Sequence, residues 1–217
     1  MNKVYYNNER IYDYEKIAQF KLTIIGDNNE VYLNSFDGNA MVYVYIEGVN
    51  CKFSFGTGNT VKNDIGINFW IAPAKMPNNS KIEIGNNNFF NGSGISIIAP
   101  LDKSLIIGDR NLFAGSITFW GRNDHIIYNA KNLKRINNDK DIIIGSNNWI
   151  CQNVSFLPGA IIGNDCVIGY GSLINKGFNK NNVLITGVPA KIKKKCIKWS
   201  RSCNYENIDF NDCINIK

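Results

Sequence analysis

Histidine is almost absent from this sequence: of its 217 residues, only His125 carries an imidazole. A metal centre built on two or three histidines is therefore excluded. Long apolar runs are missing too, since no stretch approaches the ~18 apolar residues of a membrane span. The first residues, Met1 to Glu9, are polar and lack the apolar segment of a signal peptide. We therefore expect a soluble, cytoplasmic protein without a transmembrane segment.

Cysteine is present without a metal-binding or redox pattern. The six cysteines, at positions 51, 151, 166, 196, 203 and 213, form no CxxC pair. Because no export signal is evident, we expect reduced thiols rather than a disulfide framework.

The net charge of +6 is concentrated near the end of the chain. Six cations fall there within eleven residues: Lys191, Lys193, Lys194, Lys195, Lys198 and Arg201. Such a cluster is either a solvated helix face or a site for cofactor phosphates, an acidic polymer or nucleic acid. No paired CxxC, basic zipper or RNP stretch accompanies it, so we expect no nucleic-acid partner.

Apolar residues recur with a period of six from residue 144 onward. The series is Ile144, Ile150, Phe156, Ile162, Ile168 and Ile174, and a small or β-branched residue follows four positions after the middle four, at Val154, Ala160, Cys166 and Ser172. A helix of period 3.6 cannot keep such a series on one face, whereas short strands joined by tight turns can. The pattern predicts a β-solenoid whose turns are supplied by glycine, aspartate and many of the 35 asparagines.

A loop interrupts the repeat. Eighteen residues, or one triangular coil, separate Gly145 from Gly163, but 37 separate Gly108 from Gly145. The surplus falls between about Arg122 and Asp139 and contains the single histidine. An insertion extruded from a regular solenoid is typical of a functional loop.

The chain divides into three regions around this repeat. Residues 1–23 are predicted to form an N-terminal cap or first coil, and residues 24–186 the solenoid with its loop at about 122–139. Residues 187–217 are predicted to be a C-terminal helix and tail that cap the last coil, because Pro189 suits the first turn of a helix through the lysines. The alternation in residues 31–60 indicates strands, but their register cannot be assigned.

Several motifs give the chain a family resemblance. Ile-Gly-Ser-Asn-Asn-Trp-Ile at 144–150, Leu-Pro-Gly at 157–159, the hexads of 162–169 and Gly-Val-Pro-Ala-Lys at 187–191 occur in that order. In them the chain resembles the hexapeptide-repeat acyltransferases. From about Asn91 to Trp199, including Asn123-Asp124-His125 and the Lys198 to Arg201 segment, it is similar to the bacterial capsular and polysialic acid O-acetyltransferases. The resemblance implies an all-β, left-handed parallel β-helix, a homotrimer with sites between subunits, and acetyl-CoA as acetyl donor.

The resemblance also implies a catalytic set. Acetyl transfer to a hydroxyl needs a base, and His125 is the candidate near neutral pH. Trp149 would border the acyl site with its indole N–H, and the backbone N–H of Gln152 would face the thioester carbonyl. The group that orients His125 stays open between Asp124 and a backbone carbonyl, because Asn123 stands where family members often have aspartate.

Binding residues follow from the same match. Positions matching CoA contacts are Gln152, Tyr170, Asn175, Lys176, Lys191 and Lys194, and lysines suit the CoA phosphates. Arg122 and Arg135, near the loop, would suit an anionic acceptor such as sialic acid, although a neutral acceptor is also open. Covalent catalysis by Cys151 is not expected, because no second histidine is present to generate its thiolate.

The leading interpretation is therefore an O-acetyltransferase that uses no metal and acts, with His125 as general base, on a hydroxyl of a surface-glycan sugar, with sialic acid as the favoured acceptor, in a glycan such as a capsule or lipooligosaccharide. One enzyme alternative is an amino-sugar N-acetyltransferase, and a zinc-dependent carbonic anhydrase is disfavoured by the single histidine. The remaining alternative is a non-catalytic β-solenoid binding protein, which would leave the Trp149 motif unexplained.

Overall fold

The computed structural model describes residues 1–69 and 79–202, which are almost entirely strands and turns. In chain order the strands are β1 (Lys3–Tyr6), β2 (Glu9–Ile11), β3 (Phe20–Ile25), β4 (Glu30–Leu33), β5 (Val42–Glu47), β6 (Lys52–Phe55), β7 (Thr60–Val61), β8 (Ile65–Phe69), β9 (Lys81–Ile84), β10 (Phe89–Phe90), β11 (Ile95–Ile98), β12 (Ser104–Ile107), β13 (Leu112–Phe113), β14 (Thr118–Trp120), β15 (Ile142–Ile144), β16 (Trp149–Ile150), β17 (Ser155–Phe156), β18 (Ile161–Ile162), β19 (Val167–Ile168), β20 (Leu173–Ile174), β21 (Gly177–Phe178), β22 (Val183–Thr186) and β23 (Lys191–Lys195). One short 3₁₀ helix, Tyr14–Lys16, precedes β3.

The strands form three sheets, which are the three sides of a triangular coil. Face A has the order β2, β1, β4, β6, β9, β12, β15, β18, β21; face C has the order β23, β22, β19, β16, β13, β10, β7; face B has the order β20, β17, β14, β11, β8, β5, β3. From β6 onward the chain visits the faces in the order A, C, B. Successive coils pair in parallel, and among the strands given above only β1–β2 and β22–β23 pair antiparallel. The predicted all-β parallel helix is confirmed.

The six-residue series fills the interior of this coil, as predicted. Ile144 pairs with Ile162, Ile150 with Ile168, and Phe156 with Ile174, so that the 18-residue coil length holds on all three faces. These side chains are buried, and so are the smaller Val154, Ala160, Cys166 and Ser172 at the corners. Aromatic stacking extends the core toward the N-terminus, where the Phe90 and Phe113 rings lie 4.8 Å apart.

Corner A–C, the turn from face A to face C, is held by a ladder of buried asparagines: Asn59, Asn88, Asn111 and Asn148. Each side-chain oxygen accepts the backbone N–H of the next coil, as when the Asn111 oxygen accepts from Asn148 N at 2.9 Å. The glycine that opens each turn serves close approach, since a Cβ on Gly108 would lie 2.8 Å from the Gly145 oxygen. The left-handed position falls two residues later, at Arg110 (φ +57°) and Asn147 (φ +56°).

The N-terminal region adds strands to the same sheets. β1 pairs in parallel with β4, and β3 with β5, while β2 folds back antiparallel on β1 at the edge of face A. Residues 31–60, whose register could not be assigned from sequence, pair in register with β8 and β9.

The predicted C-terminal helix is wrong over the residues that the structure describes. Lys191–Lys195 is a strand that pairs antiparallel with β22, after a turn through Gly187 (φ +111°) and Pro189. β22 would otherwise leave the edge of face C exposed, and a lysine-rich strand covers that edge without inviting further pairing. The rest of the predicted tail, residues 203–217, lies outside the described residues.

Two negative observations apply to residues 1–69 and 79–202. None of their helices has the length and apolar character to cross a membrane. They also contain no group of three metal-binding side chains.

Candidate active site

The chain leaves the coil between Trp120 at the end of β14 and Ile142 at the start of β15. This excursion, the loop predicted at about 122–139, folds as an antiparallel hairpin. Ile136 N donates to Ile127 O at 2.8 Å, and Tyr128 forms a bridge with Arg135. Asn137 ties the two arms together, because its amide donates to His125 O at 2.7 Å and its oxygen accepts from Ile127 N at 2.7 Å.

Charged groups anchor the base of the hairpin. The Arg122 side chain is buried, and its Nε lies 2.8 Å from Asp124 Oδ1. Burial lowers the pKa of Arg122, and the carboxylates of Asp124 and Asp139 oppose that shift. Asp139 also accepts the Asn123 amide at 2.7 Å and lies 3.8 Å from Arg135. Both arginines predicted to bind the acceptor thus face acidic partners within the hairpin.

His125 lies on the exposed part of this hairpin. Among the described residues its ring has no hydrogen-bond partner, while its backbone carbonyl is held by Asn137. Asp124, one of the two groups considered for orienting the imidazole, binds Arg122 instead. The ring is therefore available to a ligand or to a second copy of the chain.

Trp149 begins β16 on face C, and Gln152 lies two residues beyond the end of that strand. The Trp149 indole points outward from β16 and is 39% exposed. Gln152 follows in corner C–B, the turn from face C to face B. The flanking amides Cys151 N and Asn153 N donate to carbonyl oxygens of neighbouring coils, but within the described ranges the N–H groups of Gln152 and of the Trp149 indole donate to nothing. Two unused donors thus lie on this part of the surface.

Tyr170 lies one coil further along the same corner. Gly171 N donates to the backbone carbonyl oxygen of Gln152 at 3.0 Å. The Tyr170 hydroxyl accepts a short hydrogen bond from the side-chain amide of Asn153. Lys191 begins β23 just beyond the next turn of this corner, and Lys194 lies opposite Leu184 on face C.

Asn175 and Lys176, which were predicted with the same CoA contacts, lie elsewhere. They follow β20 in corner B–A, the turn from face B to face A, and Lys176 Nζ lies 5.6 Å from the Phe178 ring centre. One chain therefore does not bring all six predicted CoA contacts together.

The same separation applies to the catalytic residues. The His125 hairpin grows from corner B–A, which is the corner of the triangle opposite face C, whereas Trp149 lies on face C itself. Within one chain, the imidazole and the two unused donors are therefore on different sides of the coil.

Sequence reasoning did not identify Trp199 as a site residue. After β23 the chain runs back across corner A–C, and Trp199 packs on Trp149 with ring centres 6.2 Å apart. Its indole N–H donates to Asn147 O at 2.7 Å. The sequence feature that could have indicated Trp199 is the Lys198 to Arg201 motif. The contact itself could not be predicted, because the two tryptophans are 50 residues apart in the chain.

Cys151 precedes Gln152 in the chain and is a free, half-buried cysteine. Burial raises the pKa of its thiol, so the thiol stays protonated near neutral pH. A protonated thiol is a poor nucleophile, which agrees with the expectation that this cysteine forms no covalent intermediate.

Comparison with known proteins gives consistent results. Residues 141–176 match the family model of the bacterial transferase hexapeptide (six repeats). The polysialic acid O-acetyltransferase of Neisseria meningitidis is 30% identical over 192 residues, which cover 88% of this chain and 84% of that protein. The galactoside O-acetyltransferase of Escherichia coli K12 is 32% identical over 129 residues, which cover 59% of this chain but only 61% of that protein's length.

Solved structures agree with the sequence matches. The polySia-specific acetyltransferase NeuO superimposes with a TM-score of 0.73 at 25% identity, over 95% of this chain and 80% of that one. The polysialic acid O-acetyltransferase OatWY has a TM-score of 0.52 at 22% identity, over 98% and 96% of the two chains. These likenesses confirm the left-handed hand of the β-helix.

Proposed function

Because this chain belongs to the hexapeptide-repeat acetyltransferases, we propose that it transfers an acetyl group from acetyl-CoA to a hydroxyl of a glycan sugar. The acceptor sugar that we propose is sialic acid. One observation carries the proposal: the hairpin between β14 and β15 leaves the coil and presents the single imidazole, and the same chain exposes the N–H donors of Gln152 and of the Trp149 indole, which are unused within the described ranges. The relative that covers most of the chain is named for polysialic acid, which supports the choice of acceptor.

His125 has the first chemical role in this proposal. Its neutral imidazole accepts the proton of the acceptor hydroxyl as the hydroxyl oxygen bonds to the thioester carbonyl carbon. When the carbon–sulfur bond breaks, the imidazolium returns that proton to the departing thiolate. The hairpin holds the ring at the surface through the bond from Asn137 to the His125 carbonyl.

Gln152 and Trp149 have the second role. Negative charge develops on the thioester oxygen during attack, and preorganised N–H donors stabilise it most where water is excluded. The unused backbone N–H of Gln152 and the unused indole N–H of Trp149 are the donors on this surface. Tyr170, directly above Gln152, would contact the pantetheine arm, and Lys191 and Lys194 would bind the CoA phosphates.

A second copy of the chain completes this site. The His125 hairpin grows from the corner opposite face C. In the proposed assembly, the imidazole of one chain meets the donors of another. The hairpin also exposes five large apolar side chains, which would be covered by a neighbour: Ile126, Ile127, Tyr128, Leu133 and Ile136. We therefore include a homotrimer in the proposal, because a three-sided coil with head-to-tail contacts closes into a ring.

The test is an acceptor panel with purified protein and acetyl-CoA. Release of thiol is measured with sialic acid, polysialic acid, galactosides, maltose and amino sugars, and products are identified by mass spectrometry. The proposal expects O-acetylated sialic acid to form fastest. Acetylation of an amine would favour the amino-sugar alternative, and no thioester turnover with any acceptor would favour the non-catalytic binding protein.

Because acetyl-CoA is a cytoplasmic metabolite, we place the reaction in the cytoplasm, on a sugar that later reaches the cell surface.

A further inference from the structure

Two adjoining grooves lie beside the Trp149–Trp199 pair. One, of about 310 Å³, is lined by Asn87, Arg110, Asn147, Trp199 and Arg201. The other, of about 290 Å³, is lined by Asn91, Leu112, Ala114, Trp149, Ser200 and Arg201. Arg201 borders both, so together they form one surface that crosses corner A–C onto face C. We call it the Arg110–Arg201 groove.

The two arginines of this groove have no acidic partner in the described part of the chain. One Nη of Arg201 donates to the Arg110 carbonyl oxygen at 3.0 Å, which brings a second guanidinium to Arg110 without neutralising either. A guanidinium has five N–H donors, so most of their hydrogen-bonding capacity is unused. Arg122 and Arg135 differ, because both face Asp139.

The acidic groups of this corner are already engaged. Asp109 accepts the backbone N–H of Asn86 at 2.7 Å, and Asp165 accepts the Asn147 side-chain amide at 2.6 Å. Two neighbouring cations without a counter-ion favour an anion from outside the chain. A planar carboxylate is the anion that the arginine fork matches best, because it accepts two parallel N–H bonds.

The tryptophans indicate what is attached to that carboxylate. The indoles of Trp149 and Trp199 meet at 38°, and both line the grooves. Such rings offer apolar area to the C–H face of a pyranose, while the asparagine amides offer hydrogen bonds to hydroxyls. This combination suits a sugar acid better than a nucleotide phosphate.

We propose that the Arg110–Arg201 groove is the acceptor subsite, where the carboxylate of an anionic sugar binds Arg201 and Arg110 and the sugar ring packs on Trp199. The inference rests on the proposed acetyltransferase function and names the residues that select its acceptor. It places donor and acceptor on opposite sides of Trp149: the thioester beside Gln152 at corner C–B, and the sugar toward corner A–C. It also assigns to Arg110 and Arg201 the role first expected of Arg122 and Arg135.

The kinetic test compares a sialoside with its carboxamide, using three variants. Arg201→Gln removes one cation, and Arg110→Asn removes the other while suiting the left-handed backbone at φ +57°. Lys62→Gln is the control, since it removes an equal charge from an exposed site on the opposite side of face C. We expect each arginine variant to lower kcat/KM for the sialoside by about 10-fold or more, with little change for the carboxamide or in the KM for acetyl-CoA.

Three kinetic outcomes would overturn the subsite. Equal losses for sialoside and carboxamide would show that the arginines do not recognise the carboxylate. A raised KM for acetyl-CoA with unchanged acceptor discrimination would assign the groove to the CoA phosphates. If the protein acetylates only neutral sugars and the variants have no effect, the subsite fails while the acetyltransferase function stands.

A binding measurement keeps the inference testable if no turnover is found. Titration of wild-type protein with a sialoside, followed by calorimetry, is expected to saturate, with at least about 10-fold weaker binding in Arg201→Gln. Arg201→Lys, which keeps the charge but loses the fork, should recover only part of that affinity. Equal affinity in wild type and Arg201→Gln would overturn the subsite whatever the activity.

Discussion

His125 illustrates how one residue can be predicted while its surroundings cannot. Its rarity and its position in a break of the repeat mark it in the sequence. The structure adds that its ring has no partner among the described residues, and that Asp124 is bound to Arg122 rather than to the imidazole. The pairing of loop charges depends on how the hairpin closes, which neighbouring sequence positions do not specify.

The first prediction concerns this histidine. His125→Ala should lower kcat by ~10²-fold or more, since general-base catalysis contributes at least that much. Binding of acetyl-CoA should change little, because the residues proposed to hold it lie on other corners of the coil. Steady-state kinetics and calorimetric titration with CoA check the two parts.

Asn138→Ala is the matched control for the His125 variant, because Asn138 is exposed on the same hairpin and makes no hydrogen bond within the described chain. It should retain wild-type kcat. An unaltered kcat in correctly folded His125→Ala protein would remove His125 from the mechanism.

At the scale of elements, the asparagine ladder of corner A–C adds hydrogen bonds between successive coils to those that the short strands make. Asn111 accepts from Asn148 N and donates to Gly108 O and to the Asn88 oxygen, all in the interior. Asn111→Ala removes the acceptor of Asn148 N and the donor to Gly108 O, whereas the Asn88 oxygen keeps its bond from the backbone N–H of residue 111. The free energy of unfolding should fall by about 1–3 kcal/mol, the cost of unsatisfied buried polar groups.

Chemical denaturation with Asn138→Ala as the exposed reference measures this effect. A loss no larger than that of the reference would mean that the ladder adds nothing beyond the parallel strands.

The cationic strand β23 allows a second element-scale prediction. The double variant Lys191→Glu with Lys194→Glu should raise the KM for acetyl-CoA. The increase in KM should be smaller with an acetyl donor that lacks the 3′-phosphate. The matched control is Lys193→Glu with Lys195→Glu, which changes the charge of the same strand equally. Equal effects of the two pairs, or equal losses with CoA and dephospho-CoA in binding titrations, would indicate a merely solvated strand.

The elements themselves were unequally predictable. The hexad series predicts the coil because the same side chain is needed at each layer, so that period and burial coincide from Ile144 to Ile174. β23 was missed because a lysine run with proline before it satisfies the local rules for a helix start. Its strand conformation depends on the open edge of β22, a tertiary feature.

At the scale of the whole molecule, the sequence could not show which site residues face each other. The contact of Trp199 with Trp149 joins positions far apart in the chain, and the corner from which the hairpin grows depends on the number of faces already wound. Once the order of the three faces is known, His125 and Trp149 lie on opposite sides of the β-helix of one chain. Under the proposed function the reaction then needs residues from two chains, and assembly becomes part of the proposed mechanism.

Mixing of two inactive variants tests this requirement directly. His125→Ala chains keep the Trp149 surface and Trp149→Ala chains keep the imidazole, so a site between one of each is intact. After the two are unfolded together and refolded in equal amounts, random head-to-tail trimers should recover about a quarter of wild-type activity, since two independent choices must both be correct. Each variant refolded alone is the control and should stay inactive. Sedimentation should show trimers throughout. If mixing restores nothing although trimers form, or if a stable monomer is fully active, the imidazole and the donors belong to one chain and the proposed intersubunit site is wrong.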